Sequence, residues 1–129
     1  MRSRIWIILW IVGILLPMGF LAGLWAPFGR VFARTFAAGW SHIVMHAFLF
    51  LVLAVLLAQA IRPLSVRAGL LLLGLGIAVA CLQEGLQWLS IQAEVGWSAS
   101  AFDLAVDLAG MLAGVALARL WLVRRPRRE

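Results

Sequence analysis

Four apolar stretches divide the chain, and its polar residues gather at their ends. Each stretch is about twenty residues long, which at roughly 1.5 Å per residue is what a helix needs to cross a hydrocarbon core of about 30 Å. They fall at roughly 5–26, 43–61, 68–89 and 102–123. The pattern predicts an all-α membrane protein, one domain over residues 1–129, with four transmembrane helices in an antiparallel bundle. Between the first two stretches, Phe28, Phe32, Phe36 and Trp40 recur at four-residue steps, with Arg30 and Arg34 among them. That spacing predicts an amphipathic segment lying in the outer interface. The turn around Arg62, Pro63 and Arg67 is short, so the second and third helices are expected to be neighbours.

Composition agrees with the pattern: 65% of residues are hydrophobic, far above the usage of a soluble domain. The net charge of +6 comes from arginine alone, and its placement decides what it means. Arg2, Arg4, Arg62, Arg67, Arg124, Arg125, Arg127 and Arg128 all lie just outside the expected spans, and an even number of crossings puts them on one side. Only Arg30 and Arg34 lie opposite. This is the positive-inside arrangement of a multi-pass protein in a bacterial-type cytoplasmic membrane with both termini cytoplasmic, and it excludes a nucleic-acid partner. Tryptophans prefer the interfaces; Trp6 and Trp121 mark the inner one, and Trp25, Trp40, Trp88 and Trp97 the outer. The amino-terminal stretch resembles a signal peptide in its charge but lacks a small-residue cleavage site, so a retained first helix is expected. Cys81 is alone in the chain and is expected to be a small buried hydrophobe.

Against this background the polar residues inside the spans stand out. Each costs about 2.5–3.5 kcal/mol at a helix centre when charged, so such residues face the bundle interior and mark function. His46, Gln83, Glu84, Gln87, Asp103 and Asp107 are these residues, with His42 at the edge. Counting the helical rise from each outer boundary puts His46, Glu84 and Asp107 within roughly 5–8 Å of one interface. Rotation agrees: Gly76, Ala80, Glu84 and Gln87 share a stripe of the third helix, and Asp103, Asp107, Gly110 and Gly114 share one of the fourth. Gly76, Gly110 and Gly114 are expected to let the helices pack closely, as small residues do in membranes. A competing explanation is that Ser100 and Asp103 form a capping box at the start of the fourth helix. Another is that the whole layer is a satisfied network fixing helix register. The spacing matches no established zinc motif, so no metal ligand or cofactor is assigned. Below this layer the three polar helices carry no ionisable residue until Arg119, which argues against a proton pathway.

His46, Glu84 with Gln87, and Asp103, Asp107, Gly110 and Gly114 resemble, in order and spacing, the pattern of the VanZ-like family of small membrane proteins. That family is named for a member associated with resistance to the lipoglycopeptide teicoplanin, and the likeness covers roughly residues 42 to 118. The chain departs from the family where His42 and Ile43 replace Asp-Lys, where Trp97 replaces a loop arginine, and where Asp107 replaces asparagine. Losing the arginine removes a natural anion-binding donor. What the resemblance implies is a cell-envelope protein contributing to glycopeptide resistance.

The expected function is an outer-leaflet polar pocket of His42, His46, Glu84, Gln87, Asp103 and Asp107 that binds a lipid head group, a lipid-linked glycan or an amphiphilic antibiotic. The alternative is a membrane-embedded acid/base or metal-dependent enzyme acting on a lipid-linked substrate. The expected partners are therefore the membrane and a lipid or amphiphilic small molecule. Gly19 and Gly23 pack the first helix inside the monomer or form a homo-oligomer face, and the sequence leaves both open.

Overall fold

The computed structural model describes residues 2–61, 64–90 and 97–123, and every element among them is a helix. In chain order these are α1 (Arg2–Leu15), α2 (Met18–Leu24), α3 (Ala26–Thr35), α4 (Gly39–Ala60), α5 (Val66–Ser90) and α6 (Trp97–Val123). Three of them, α4, α5 and α6, are long and apolar enough to cross a membrane, and α1 with α2 makes a fourth if the bent pair is one span. Only about a third of the apolar stretch of each of these three helices is buried inside the chain (33%, 39% and 33%), so most of each faces outward. Such a surface suits lipid rather than water.

The first stretch is not the continuous helix expected over 5–26: it breaks at Leu16 and Pro17, and its two halves meet at 66°. Proline has no N–H to give, its ring collides with the carbonyl four residues back, and it biases Leu16 away from helix. The Pro17 carbonyl then accepts from Leu21 N–H at 3.0 Å and opens α2. A second break follows at Trp25, whose extended backbone (φ −132°, ψ 103°) ends α2 and starts α3. The amphipathic periodicity also stops sooner than expected. α3 ends at Thr35, whose hydroxyl donates to Val31 O at 2.9 Å, and Trp40 belongs to the first turn of α4.

α4 and α6 share the most extensive interface, α5 packs mainly on α6, and α1 lies on α4. Glycine explains the closeness of the central pair. A Cβ on Gly110 would run into the Ala47 carbonyl, and one on Gly114 would lie 2.5 Å from Leu51 O, so these two positions bring the backbones together. Gly76 serves α5 in a similar way, by making room for the Met111 side chain. Around these contacts Phe50, Leu53, Leu57, Leu72, Met111 and Val115 form the apolar core. At the far end of the bundle Ser65 begins α5, its hydroxyl accepting from Ala68 N–H at 3.1 Å.

Helix boundaries bear on two further expectations. α6 begins at Trp97, a turn and more before the predicted start, so Ser100 lies inside the helix and is not its cap. Cys81 is exposed on the outer surface of α5 and is not the buried hydrophobe expected of it. An all-apolar helix gives periodicity little to work with in saying which face turns inward. Arg62, Pro63, Glu94 and the arginines of the carboxy terminus lie outside the described residues.

Candidate polar site

The start of α4, the end of α5 and the start of α6 meet at one end of the bundle and carry the polar residues there. α4 begins at Gly39, early enough to place both histidines in regular helix. His42 and His46 are four residues apart on one face, with ring centroids 4.4 Å apart. Asp103 and Asp107 have the same spacing on α6. Because the glycine contacts hold the two helices close together, the pairs meet as two rungs.

The inner rung is a hydrogen bond. His46 Nδ1 and Asp107 Oδ1 lie 2.9 Å apart, and their side chains are 5% and 1% exposed. The outer rung is looser, with His42 Nδ1 and Asp103 Oδ1 3.6 Å apart and side chains 44% and 12% exposed. That separation is an ion-pair contact, too long for a hydrogen bond. Phe36 meets the His42 ring edge-on at 6.2 Å, and Phe32 lies 4.6 Å beyond it. An aromatic row therefore runs from α3 to the exposed mouth of the rungs.

α5 supplies the third side. Glu84 interacts electrostatically with Asp103, His46 and Asp107, and the Ser100 hydroxyl is a hydrogen-bonding neighbour. Gln83 is buried next to it, and Gln87 lies one turn further along, half-buried. Three buried oxygens lack a hydrogen-bond partner among the described residues: Gln83 Oε1, Glu84 Oε1 and Asp107 Oδ2. All three are acceptors. Leaving such a group unpaired away from water costs about 1–3 kcal/mol, so this layer is short of donors or of positive charge. Three carboxyl groups face two imidazoles in this cluster.

Directly beneath, a cavity of about 250 Å³ lies between α5 and α6, with Phe50 of α4 at its edge. Gly76, Ala80, Leu104 and Met111 line it, Asp107 is its one acid, and exposed Ile77, Cys81 and Leu108 stand at its outer margin. An apolar recess that ends at an acid with a spare acceptor has the form of a site for an amphiphile.

The structure thus gathers His42, His46, Glu84, Asp103 and Asp107 into one cluster, with Gln87 on the adjoining turn of α5. One contributor has no place in the sequence argument. Trp10 of α1 donates its indole N–H to Leu49 O at 2.8 Å and meets Phe48 edge-on at 6.2 Å. This pins α1 to α4 less than a turn from His46. A tryptophan well inside an apolar run, away from either interface, was the signal available for it.

Fold and cluster together define a class: an all-helical chain, of the kind that fits a multi-pass membrane protein, with one buried and one half-open imidazole–carboxylate pair near one end. No family model, curated protein or solved structure matches the chain. The likeness to VanZ-like proteins therefore rests on the motif positions alone.

Proposed function

We propose that this protein binds the polar head of an amphiphile, a lipid or lipid-linked glycan, in the layer formed by His42, His46, Glu84, Gln87, Asp103 and Asp107, with the apolar part of the guest in the cavity between α5 and α6. The observation that carries this reading is the set of partnerless buried acceptors at the head of an apolar recess. A guest bearing hydroxyl or ammonium donors supplies what these oxygens lack. Anionic heads fit less well, since carboxyl groups outnumber imidazoles in the layer and no arginine stands in place of Trp97.

In this reading the bent pair α1–α2 is the first of four spans of an antiparallel bundle, α3 lies in the interface, and both termini are cytoplasmic. The skew of arginines supports that orientation, with Arg30 and Arg34, both on exposed positions of α3, facing the outer side. The polar layer then belongs to the outer leaflet. Glycopeptide antibiotics enter only through the VanZ-like resemblance, as one amphiphile among several.

The test is mass spectrometry of lipids that remain with the protein when it is purified in mild detergent. Ala105→Trp fills the cavity from an exposed position of α6. The reading predicts a co-purifying amphiphile with the parent chain and its loss with Ala105→Trp while the fold is kept. No amphiphile in either sample would contradict it.

A second reading is an acid/base enzyme acting on the same class of molecule, favoured by the sealed His46–Asp107 hydrogen bond next to the half-open His42. Incubating the co-purified lipid with fresh protein separates the two: an enzyme converts it, and a binding protein returns it unchanged.

A further inference from the structure

One donor atom each from His42, His46 and Asp103 lies within 4.8 Å of the others. We infer that these three side chains bind a divalent transition-metal ion of the zinc type at the outer end of the α4–α6 rungs. The three ligands belong to the same polar layer as the proposed head-group site and lie apart only from the apolar cavity, so the inference is tested by metal titration in its own right.

Four features of the site support it. The donor set comes first: two imidazole nitrogens and a carboxylate oxygen suit zinc-like ions and disfavour magnesium or calcium, which take oxygen ligands. Spacing comes second. Ligands about 2.0–2.2 Å from a tetrahedral metal lie about 3.4 Å from each other, and the 3.6 Å from His42 Nδ1 to Asp103 Oδ1 is already close to that. The His42 side chain is 44% exposed, so its ring has room to turn toward an ion. A third feature is the support behind His46. Its Nδ1 is held by Asp107, which leaves Nε2 to face an ion, and a carboxylate behind a ligating imidazole is the usual way such rings are oriented. The fourth is charge: an ion of two positive units offsets carboxyl groups that outnumber the imidazoles three to two in the cluster.

Three protein ligands leave one coordination position open. His42 is exposed enough to admit the ion, so the set has the form of an exchangeable metal centre rather than a closed structural one.

The experiment uses the full chain without a polyhistidine tag, stripped with chelator and titrated with Co2+ and Zn2+ alone in detergent. The expected result is one ion per chain, with the intense visible absorption of a four- or five-coordinate Co2+ site that Zn2+ then abolishes. Asp107→Asn should weaken Co2+ binding by about 10–100-fold, as loss of a carboxylate behind an imidazole does elsewhere. His42→Ala, which changes an exposed ring, should remove the absorption while leaving the unfolding midpoint of the metal-free protein close to that of the parent. Asp103→Asn, a near-isosteric change, is the control for folding and should also lose the band. Absence of a stoichiometric ion in the parent chain overturns the inference, and so does undiminished binding by both His42→Ala and Asp103→Asn. Lipid retention is measured on the same samples, so metal binding without lipid, or lipid without metal, distinguishes this inference from the proposed function.

Discussion

The two rungs between α4 and α6 are the same chemistry repeated one helical turn apart, yet they are not equivalent. His46–Asp107 is sealed, at 2.9 Å, with neither side chain more than 5% exposed. His42–Asp103 is looser, at 3.6 Å, with the imidazole nearly half exposed. Depth alone separates them. A buried ion-paired or hydrogen-bonded couple is intolerant of losing one partner, because the survivor keeps its desolvation cost with nothing to offset it. An exposed couple can be solvated on loss, so it contributes little to stability and is available to bind something else. The inner rung is therefore a fastener between the helices, and the outer rung is the one open to solvent and to any ligand.

This difference is broken most sharply by Asp107→Ala, which leaves the buried His46 without its hydrogen-bond partner. We expect a loss of about 3–5 kcal/mol in stability, measured by chemical or thermal unfolding in detergent. The double variant His46→Leu with Asp107→Leu should recover most of that loss, since neither member of the inner rung is then left without its partner. Next in size is Gly110→Leu, which forces a side chain against the Ala47 carbonyl and moves α4 from α6 just beneath the inner rung. Overpacking of this kind costs about 1–3 kcal/mol. Trp10→Phe keeps the apolar contact with α4 but removes the hydrogen bond to Leu49 O, for about 0.5–1.5 kcal/mol. Asp103→Ala is the smallest, at under about 1 kcal/mol, because His42 is well exposed to solvent. Equal losses from Asp103→Ala and Asp107→Ala would contradict the distinction between rungs.

How much of this was legible before the fold was known depends on which physical signal carried it. Long apolar runs identify α4, α5 and α6 because only length and composition matter there, and the ends differ by a few residues. The polar layer was legible for a related reason: His46, Glu84 and Asp107 are costly in an apolar setting, so their counted depths coincide. Gly110 and Gly114 follow from the stripe they share with the aspartates. The rung pairing is another matter, since it depends on the relative rotation of α4 and α6, set by contacts at Ala47 and Leu51 that no single helix encodes. Hydropathy also ran across Pro17, whose effect on a helix is local while the window that finds spans is long. The Ser100 cap failed because α6 starts at Trp97, in a stretch too mixed to score as a span. Cys81 failed because an all-apolar helix does not mark its inner face.

The central claim is that the layer of Glu84, Asp103 and Asp107 is built to hold something it does not itself contain. An experimental structure determined from native lipid tests this most directly, through the density around Glu84 Oε1 and Asp107 Oδ2. The account predicts a non-protein group or ion within hydrogen-bonding or coordination distance of at least one of these oxygens. Finding both paired to protein donors in a closed layer would contradict it.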